Sequence, residues 1–382
     1  MIKNYIRQAI GLMLIFLLAQ CKEEYIPKLE ESNIRLLVVE GYINSGIGPT
    51  IFHLSRVADL ADTVFIPELA AEVNIESDNG NVFPLADYGN GEYSTPQLIL
   101  DNSAEYRVYI RTNNGKEYVS GYSAVKHTPV IDSISWQEEN DGVQIYVNNH
   151  GNPNDTSYYR WTYSETWEFH SAYVSNLDYV IDPVSNEPID LMNRVDPEAI
   201  YKCWKTQQST NIILGSTEKL AENRIFLPVR FVEALGEELS VRYYIEVSQY
   251  ALSHEAFLFY QRLKRNTEQI GTLFDPQPSK LPTNIHCLSD STEAVVGFVE
   301  ITDLQQAHKF ITNDEVKPWT PPVSCSKIVA VNSPSELQVA ASNNLPLSPL
   351  TYMGPKIATY SAAAKECVDC TLRGTNIKPA FW

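Results

Sequence analysis

Basic residues are scarce in this chain. Its 382 residues hold 29 Lys and Arg against 47 Asp and Glu, a formal net charge of −18. Nucleic-acid binding needs a Lys/Arg surface whose approach releases condensed counterions, so this balance excludes DNA or RNA as a partner. Long apolar runs are scarce too: the one near the start, Ala9 to Ala19, is too short to span a bilayer as a helix. Catalytic signatures lack their companions. His254-Glu255 would open a zinc-protease helix, but Leu258 stands where the second histidine is needed. Gly215-Ser216-Thr217-Glu218-Lys219 lacks the spacing of a phosphate loop, and no Gly-x-Ser-x-Gly elbow exposes a serine. The 7 histidines show no pair at i, i+2 or i, i+4 that would build a local metal site. The sequence therefore predicts no catalytic set, no metal site and no cofactor. Internal repeats and low-complexity tracts are absent as well.

What is present begins with a leader. Lys3 and Arg7 supply a positive start, the apolar run follows, and Leu17-Leu18-Ala19-Gln20-Cys21 has the form of a lipobox, with lipid on Cys21 and cleavage before it. Gln20 departs from the usual small residue, and the alternative is an ordinary secretory leader cut near Ala19. Both readings export the protein. Lys22-Glu23-Glu24 resembles the lysine-plus-acidic signal that directs Bacteroidota lipoproteins to the outer face of the outer membrane; the alternative is a solvated tether.

Past the tether at residues 21–32, short apolar runs alternate with turn residues. Leu36–Val39, Thr50–Leu54, Glu72–Ile75, Tyr106–Ile110 and Lys116–Tyr122 read as strands, separated by turns such as Asp78-Asn79-Gly80-Asn81 and Asn113-Asn114-Gly115-Lys116. Proline at His127-Thr128-Pro129 marks a boundary, and alternation resumes at Ile131–Trp136, then Gly142–Val147, Tyr158–Tyr163, Arg224–Val229, Leu239–Val247 and Val295–Ile301. One helix is expected over 253–270: Ser253 caps it, Glu255 favours its positive end, and Ala256, Phe259, Tyr260, Leu263 and Ile270 repeat at helical spacing. Residues 165–215 fit neither period and carry Pro183, Pro188 and Pro197, so they read as an excursion or long loop. The expectation is a mainly β protein of two β-sandwich domains. An N-terminal sandwich spans 33–128, a larger immunoglobulin- or fibronectin-like sandwich with the inserted helix and long loops spans 129–325, and a cysteine-containing extension at 326–382 packs on the latter.

Five cysteines follow Cys21: Cys203, Cys287, Cys325, Cys367 and Cys370. An odd count in an oxidising compartment allows at most two bridges and one free thiol, and spacing leaves the connectivity open. Cys367-Val-Asp-Cys370 has redox-motif spacing without the strand-to-helix context of such a motif, so a structural role is expected. Acids cluster near the excursion, at Glu138, Glu139, Glu165, Glu168, Asp182, Glu187 and Asp190. A glycosidase needs two of them facing each other across a cleft; otherwise they form a solvated face. Tyr159, Trp161, Tyr163 and Trp167 fall on one face of a strand, where they form a stacking platform for sugar or peptide or else belong to a sandwich core.

Several passages together resemble the Bacteroidota lipoprotein family called domain of unknown function 4249. They are the leader with Cys21, Leu37-Val38-Val39-Glu40-Gly41, the hairpin Gly115–Ser120 leading to Thr128-Pro129-Val130-Ile131-Asp132, Tyr201-Lys202-Cys203-Trp204, Phe274-Asp275-Pro276-Gln277-Pro278, Thr283-Asn284-Ile285, Val296-Gly297-Phe298, and the ending Cys367–Trp382. The sequence departs from the family pattern at Arg373-Gly374, where a double glycine is common, and at Ala380, where an acid is common. The first domain resembles transthyretin-like or carboxypeptidase-regulatory sandwiches. The resemblance implies a non-enzymatic, surface-exposed outer-membrane lipoprotein that accompanies a TonB-dependent transporter in ligand capture or gating. The alternatives are a surface adhesin or structural lipoprotein and, from another class, a carboxylate-based polysaccharide hydrolase.

Overall fold

Period-two alternation becomes a strand only when a neighbour pairs with it, and the N-terminal half supplies neighbours in quick succession. In the computed structural model, which describes residues 36–57, 66–151, 158–220, 222–268, 281–316 and 324–382, Leu36 to Trp382 form one compact unit. Cys21 and the leader lie outside the described residues. The first strands are β1 (Leu37–Gly41), β2 (Thr50–Arg56), β3 (Glu72–Ser77), β4 (Val82–Gly89), β5 (Glu92–Thr95), β6 (Glu105–Arg111) and β7 (Glu117–Ser120). They form one sheet in the order β7-β6-β3-β4-β5-β2-β1. In β6 the alternate residues Tyr106, Val108 and Ile110 are buried, joining Phe52, Tyr93 and Tyr118 in the core, while Glu105 and Arg111 face out.

Both ends of this sheet are finished by one distant segment. Ile285–Cys287 pairs antiparallel with β7, and Val295–Gly297 pairs parallel with β1, so the sheet nearly closes on itself. Alternation alone placed Val295–Ile301 with the second domain, because a strand's pattern says which face is buried and not which edge it joins. The Asn284 side chain adds a rung, donating to the Val299 carbonyl (2.8 Å) and accepting from its N–H (2.9 Å). Gly297 is required there: at φ +145° a Cβ would lie 2.4 Å from the Val39 carbonyl oxygen. Glu293, in the turn between the returning strands, bonds Lys116 and Tyr118 and lies 3.6 Å from Arg56.

The second half is built from β8 (Ser133–Glu138), β9 (Gly142–His150), β10 (Tyr158–His170), β11 (Leu177–Ile181), β12 (Pro188–Asn193), β13 (Lys202–Gln208), β14 (Ile213–Ser216), β15 (Arg224–Glu233), β16 (Arg242–Ala251) and β17 (Gln305–Thr312). One sheet runs β8-β9-β15; the other runs β13-β10-β16-β17, with β14 also on β10, and a shared core of Val143, Ile145, Trp161, Ile225, Val232 and Ile245 lies between them. The chain is thus mainly β. The expected helix is α1 (His254–Glu268), whose Ala256 N–H donates to the Ser253 hydroxyl (3.0 Å) and whose Ala256 and Phe259 pack on Leu252 and Phe298.

The reading of 165–215 as a loop is corrected: β10 continues to His170, and four more strands follow. The prolines misled because they sit between strands or at a strand's first residue. Pro183 lies in the β11–β12 turn, Pro188 is the first residue of β12, and Pro197 opens a single turn capped by Asp196.

A third layer completes the fold. β18 (Lys327–Val331), α2 (Pro334–Asn343), β19 (Asn344–Met353) and β20 (Lys356–Ala364) give a sheet ordered β18-β20-β19. Its core is small, made of Leu337, Ala340, Tyr360 and Ala362 with Leu177 and Leu191 from the β11–β12 hairpin.

Candidate functional site

The four aromatics considered as a platform are in the core. Tyr159 and Trp161 are 0% exposed, Trp167 2% and Tyr163 8%, so a sugar or peptide could stack on them only after the sandwich opened. This corrects their assignment as ligand-facing. The reason is directional: odd-numbered residues of β10 point at the β8-β9-β15 sheet, which covers them. The Trp161 indole donates to the buried Gln249 amide oxygen (2.7 Å), which also accepts from Asn149 (3.0 Å), while the Gln249 nitrogen donates to the Pro129 carbonyl (2.7 Å). One amide thus satisfies three strands and the segment that joins the two halves.

The carboxylates nearest those aromatics do not face each other. Glu165 and Glu168 stand three residues apart on one strand and project to opposite faces. Glu165 accepts from Arg230 Nε (2.8 Å) and from the Tyr243 hydroxyl (2.6 Å). Burial, aided by the Glu165 charge, pushes the Tyr243 hydroxyl well above its ordinary value, so it stays a donor. Glu168 is 3.0 Å from His170 Nε2 and 3.3 Å from Lys202 Nζ, and accepts from the Trp382 indole (3.1 Å). Glu165 thus ties β10 to the facing sheet, and Glu168 ties β10 to β13 and to the C-terminal tail. Asp182 takes the backbone N–H groups of Val184 and Ser185 in a turn, while Glu187 and Asp190 accept from Gln338 (2.6 Å) and Asn332 (2.7 Å) and fasten the β11–β12 hairpin to the third layer. Among the described residues no group of three or more His, Cys, Asp or Glu side chains is placed to hold a metal ion.

The cysteines pair across long separations, Cys203 with Cys370 and Cys325 with Cys367, leaving Cys287 free and buried in the first sheet. The two members of the Cys-x-x-Cys therefore bind different partners. Beside the first bridge the C-terminal tail adds a short rung: Trp204 and Thr375 exchange N–H to carbonyl bonds at 2.7 and 2.9 Å. Gly374 lets the tail approach, since a Cβ there would lie 2.6 Å from the Trp204 carbonyl oxygen and 2.9 Å from the Phe169 ring. Arg373 sits there without strain: its φ is −123°, and its guanidinium rests 4.9 Å from the Phe169 ring centre. The last two residues then cover the outer face of the sheet. Phe381 stacks on Tyr244 (4.4 Å), and Trp382 and Phe310 flank the Arg242 guanidinium at 5.3 and 4.0 Å. Nothing in the sequence pattern assigns this role to Arg242 and Tyr244, because their partners lie far along the chain.

Surface apolar residues gather on the hairpin that the excursion became. Leu177 and Leu191 point inward, whereas Ile181, Ile189 and Met192 are exposed and Val184 at the tip is 94% exposed. The hairpin is held by the Glu187 and Asp190 bonds and an Arg194–Asp178 ion pair. Exposed apolar residues continue on the third layer at Val329, Val331, Leu350, Tyr352 and Met353, and among the described residues β18 pairs with β20 alone. A helix long and apolar enough to cross a membrane is absent among the described residues.

Fold and surface define a mainly β, disulfide-pinned protein whose Glu165, Glu168 and inner aromatics are engaged in contacts within the fold and whose outlying hairpins carry exposed apolar residues. The chain belongs to the family described as Domain of unknown function (DUF4249), whose profile matches residues 22–306. No curated protein matches the sequence. Among solved structures, trypsin-activated alpha-2-macroglobulin from Escherichia coli aligns at a TM-score of 0.20 and 12% identity, covering 58% of this chain and 15% of its own. A chicken interferon gamma receptor alpha chain aligns at 0.13 and 8% identity, covering 57% and 90%. At these scores neither alignment bears on fold or function.

Proposed function

We propose that this protein is a Bacteroidota outer-membrane lipoprotein, anchored through Cys21 at the cell surface, that docks on a TonB-dependent transporter and assists ligand capture or gating without chemistry of its own. The lipobox, the Lys22-Glu23-Glu24 tether and the family relationship support the address. The observation that carries the docking reading is the exposed apolar set Ile181, Val184, Ile189 and Met192 on a hairpin braced from beneath. A free-standing surface rarely keeps such a set in a rigid frame, and a preformed frame lowers the entropy lost on binding. The carboxylate reading loses its best pair, since Glu165 and Glu168 face opposite ways.

The test is purification of the tagged protein from its native outer membrane in mild detergent, with mass spectrometry of whatever co-purifies in near-equal amount. The expected result is a large β-barrel transporter with the parent chain and its loss from I181D/M192D. Recovery of the lipoprotein alone, at several detergent strengths and after cross-linking, overturns the proposal and favours an adhesin.

A further inference from the structure

We infer that the tip of the β19–β20 hairpin is a membrane-contact element that seats in the interfacial region of an anionic phospholipid bilayer. Leu350, Tyr352 and Met353 are 49%, 62% and 78% exposed, and Val331, on β18 at the other side of β20, is 50% exposed. Met353 pairs with Lys356 across a two-residue turn of Gly354, at φ +62°, and Pro355. Proline has no N–H, so the turn presents few backbone donors that a bilayer would strip of water. Tyrosine suits the interface, with its ring among lipid chains and its hydroxyl at the headgroups.

Charge selects lipid as the occupant. A chain with 47 acidic residues and a net charge of −18 is repelled by an anionic surface, yet from Leu337 to Lys365 it has no acidic residue, and its two charges there are Lys356 and Lys365. The acid-free stretch thus coincides with the exposed apolar tip and places a lysine at its turn. The other apolar hairpin contrasts with it: Asp182 and Glu187 flank Val184, so a bilayer would repel that tip while a protein could seat it. The inference shares with the proposed function only the nearness of a membrane and does not need lipid on Cys21.

The experiment uses residues 22–382, which contain the whole compact unit and lack the anchoring cysteine, with vesicles of phosphatidylethanolamine and phosphatidylglycerol. Co-sedimentation of the parent chain and of M353L is expected, with binding at least about tenfold weaker for Y352D/M353D. Unchanged thermal unfolding of that variant shows that its fold is intact. In M353W, added fluorescence over the parent should be quenched by lipids brominated along the acyl chains. A parent chain that stays in solution, a double variant that binds as well as the parent, or pairing of two copies through the tip in place of vesicle binding each overturns the inference. Transporter docking is read separately through I181D/M192D.

Discussion

The N-terminal sheet and the third layer solve the same problem with different means. The first buries Phe52, Tyr93, Tyr106 and Tyr118 and closes its edges with strands from 285–297; its one cysteine, Cys287, is unbridged. The third layer has a core in which Ala330, Ala340 and Ala362 take the place of large side chains; Cys325–Cys367 closes its two ends on each other, and Cys203–Cys370 joins the adjoining tail to β13. Core size explains the difference. A layer that removes little apolar area from water needs covalent constraint on its unfolded state, whereas a closed aromatic-rich sheet does not.

The largest expected effect comes from removing those bridges. C203A/C370A, opening a separation of 167 residues, should cost about 5 kcal/mol, and C325A/C367A, with 42, about 4 kcal/mol on chain-entropy grounds. Denaturant unfolding followed by tryptophan fluorescence should show the Trp204–Trp382 region melting early while amide-exchange protection of β3 and β6 persists. Simultaneous loss at both places would break the comparison.

A smaller effect separates two glycines. G297A, whose Cβ would meet the Val39 carbonyl oxygen at 2.4 Å with φ at +145°, should cost about 3 kcal/mol in the closed sheet. G374A meets backbone at 2.6 Å, but a tail can lift away, so about 1–2 kcal/mol is expected, with exposure of Trp382 to fluorescence quenchers. A larger cost for G374A than for G297A would mean that the tail is as integral as the barrel-like sheet.

The smallest effects are pH dependences of opposite sign. Burial, the largest influence, raises the Glu300 carboxyl above its ordinary 4.5, with Ser253 bonding it at the start of α1. Folded protein then holds this proton more tightly than unfolded chain, so stability falls as pH rises from about 4.5 through the folded value, and E300Q should relieve the loss at neutral pH. Burial also acts to raise Glu293, but Lys116, Tyr118 and Arg56 outweigh it and hold that carboxyl below 4.5. Its contribution is present above 4.5 and lost as pH falls through the lowered folded value, so E293Q should destabilise at pH 7 and have little effect in acid. Unfolding midpoints across pH 3 to 8 measure both, and parallel slopes for the two variants would remove the distinction.

Much of this was legible residue by residue. Alternation located β2, β3, β6, β9 and β15 within a few positions, Ser253 marked the helix start, and five cysteines allowed two bridges with one left over. The cysteines at 367 and 370 marked the C-terminal segment for a structural role, and the disulfides and tail packing supply the reason. The candidate site was less legible. Prolines at 183, 188 and 197 concealed a hairpin, and the apolar residues of β10 carried no mark distinguishing a platform from a core.

Sequence by itself determined the class, the positions of most strands and the parity of the disulfides, because each rests on composition or on neighbours a few residues apart. Tertiary structure alone decided which edge 285–297 would complete, which cysteine met which, that Glu165 and Glu168 face opposite ways into existing bonds, and which apolar residues were left outside. Those outcomes depend on contacts between residues far apart along the chain, from a separation of 42 for Cys325 and Cys367 to 167 for Cys203 and Cys370, and local periodicity contains no term for them.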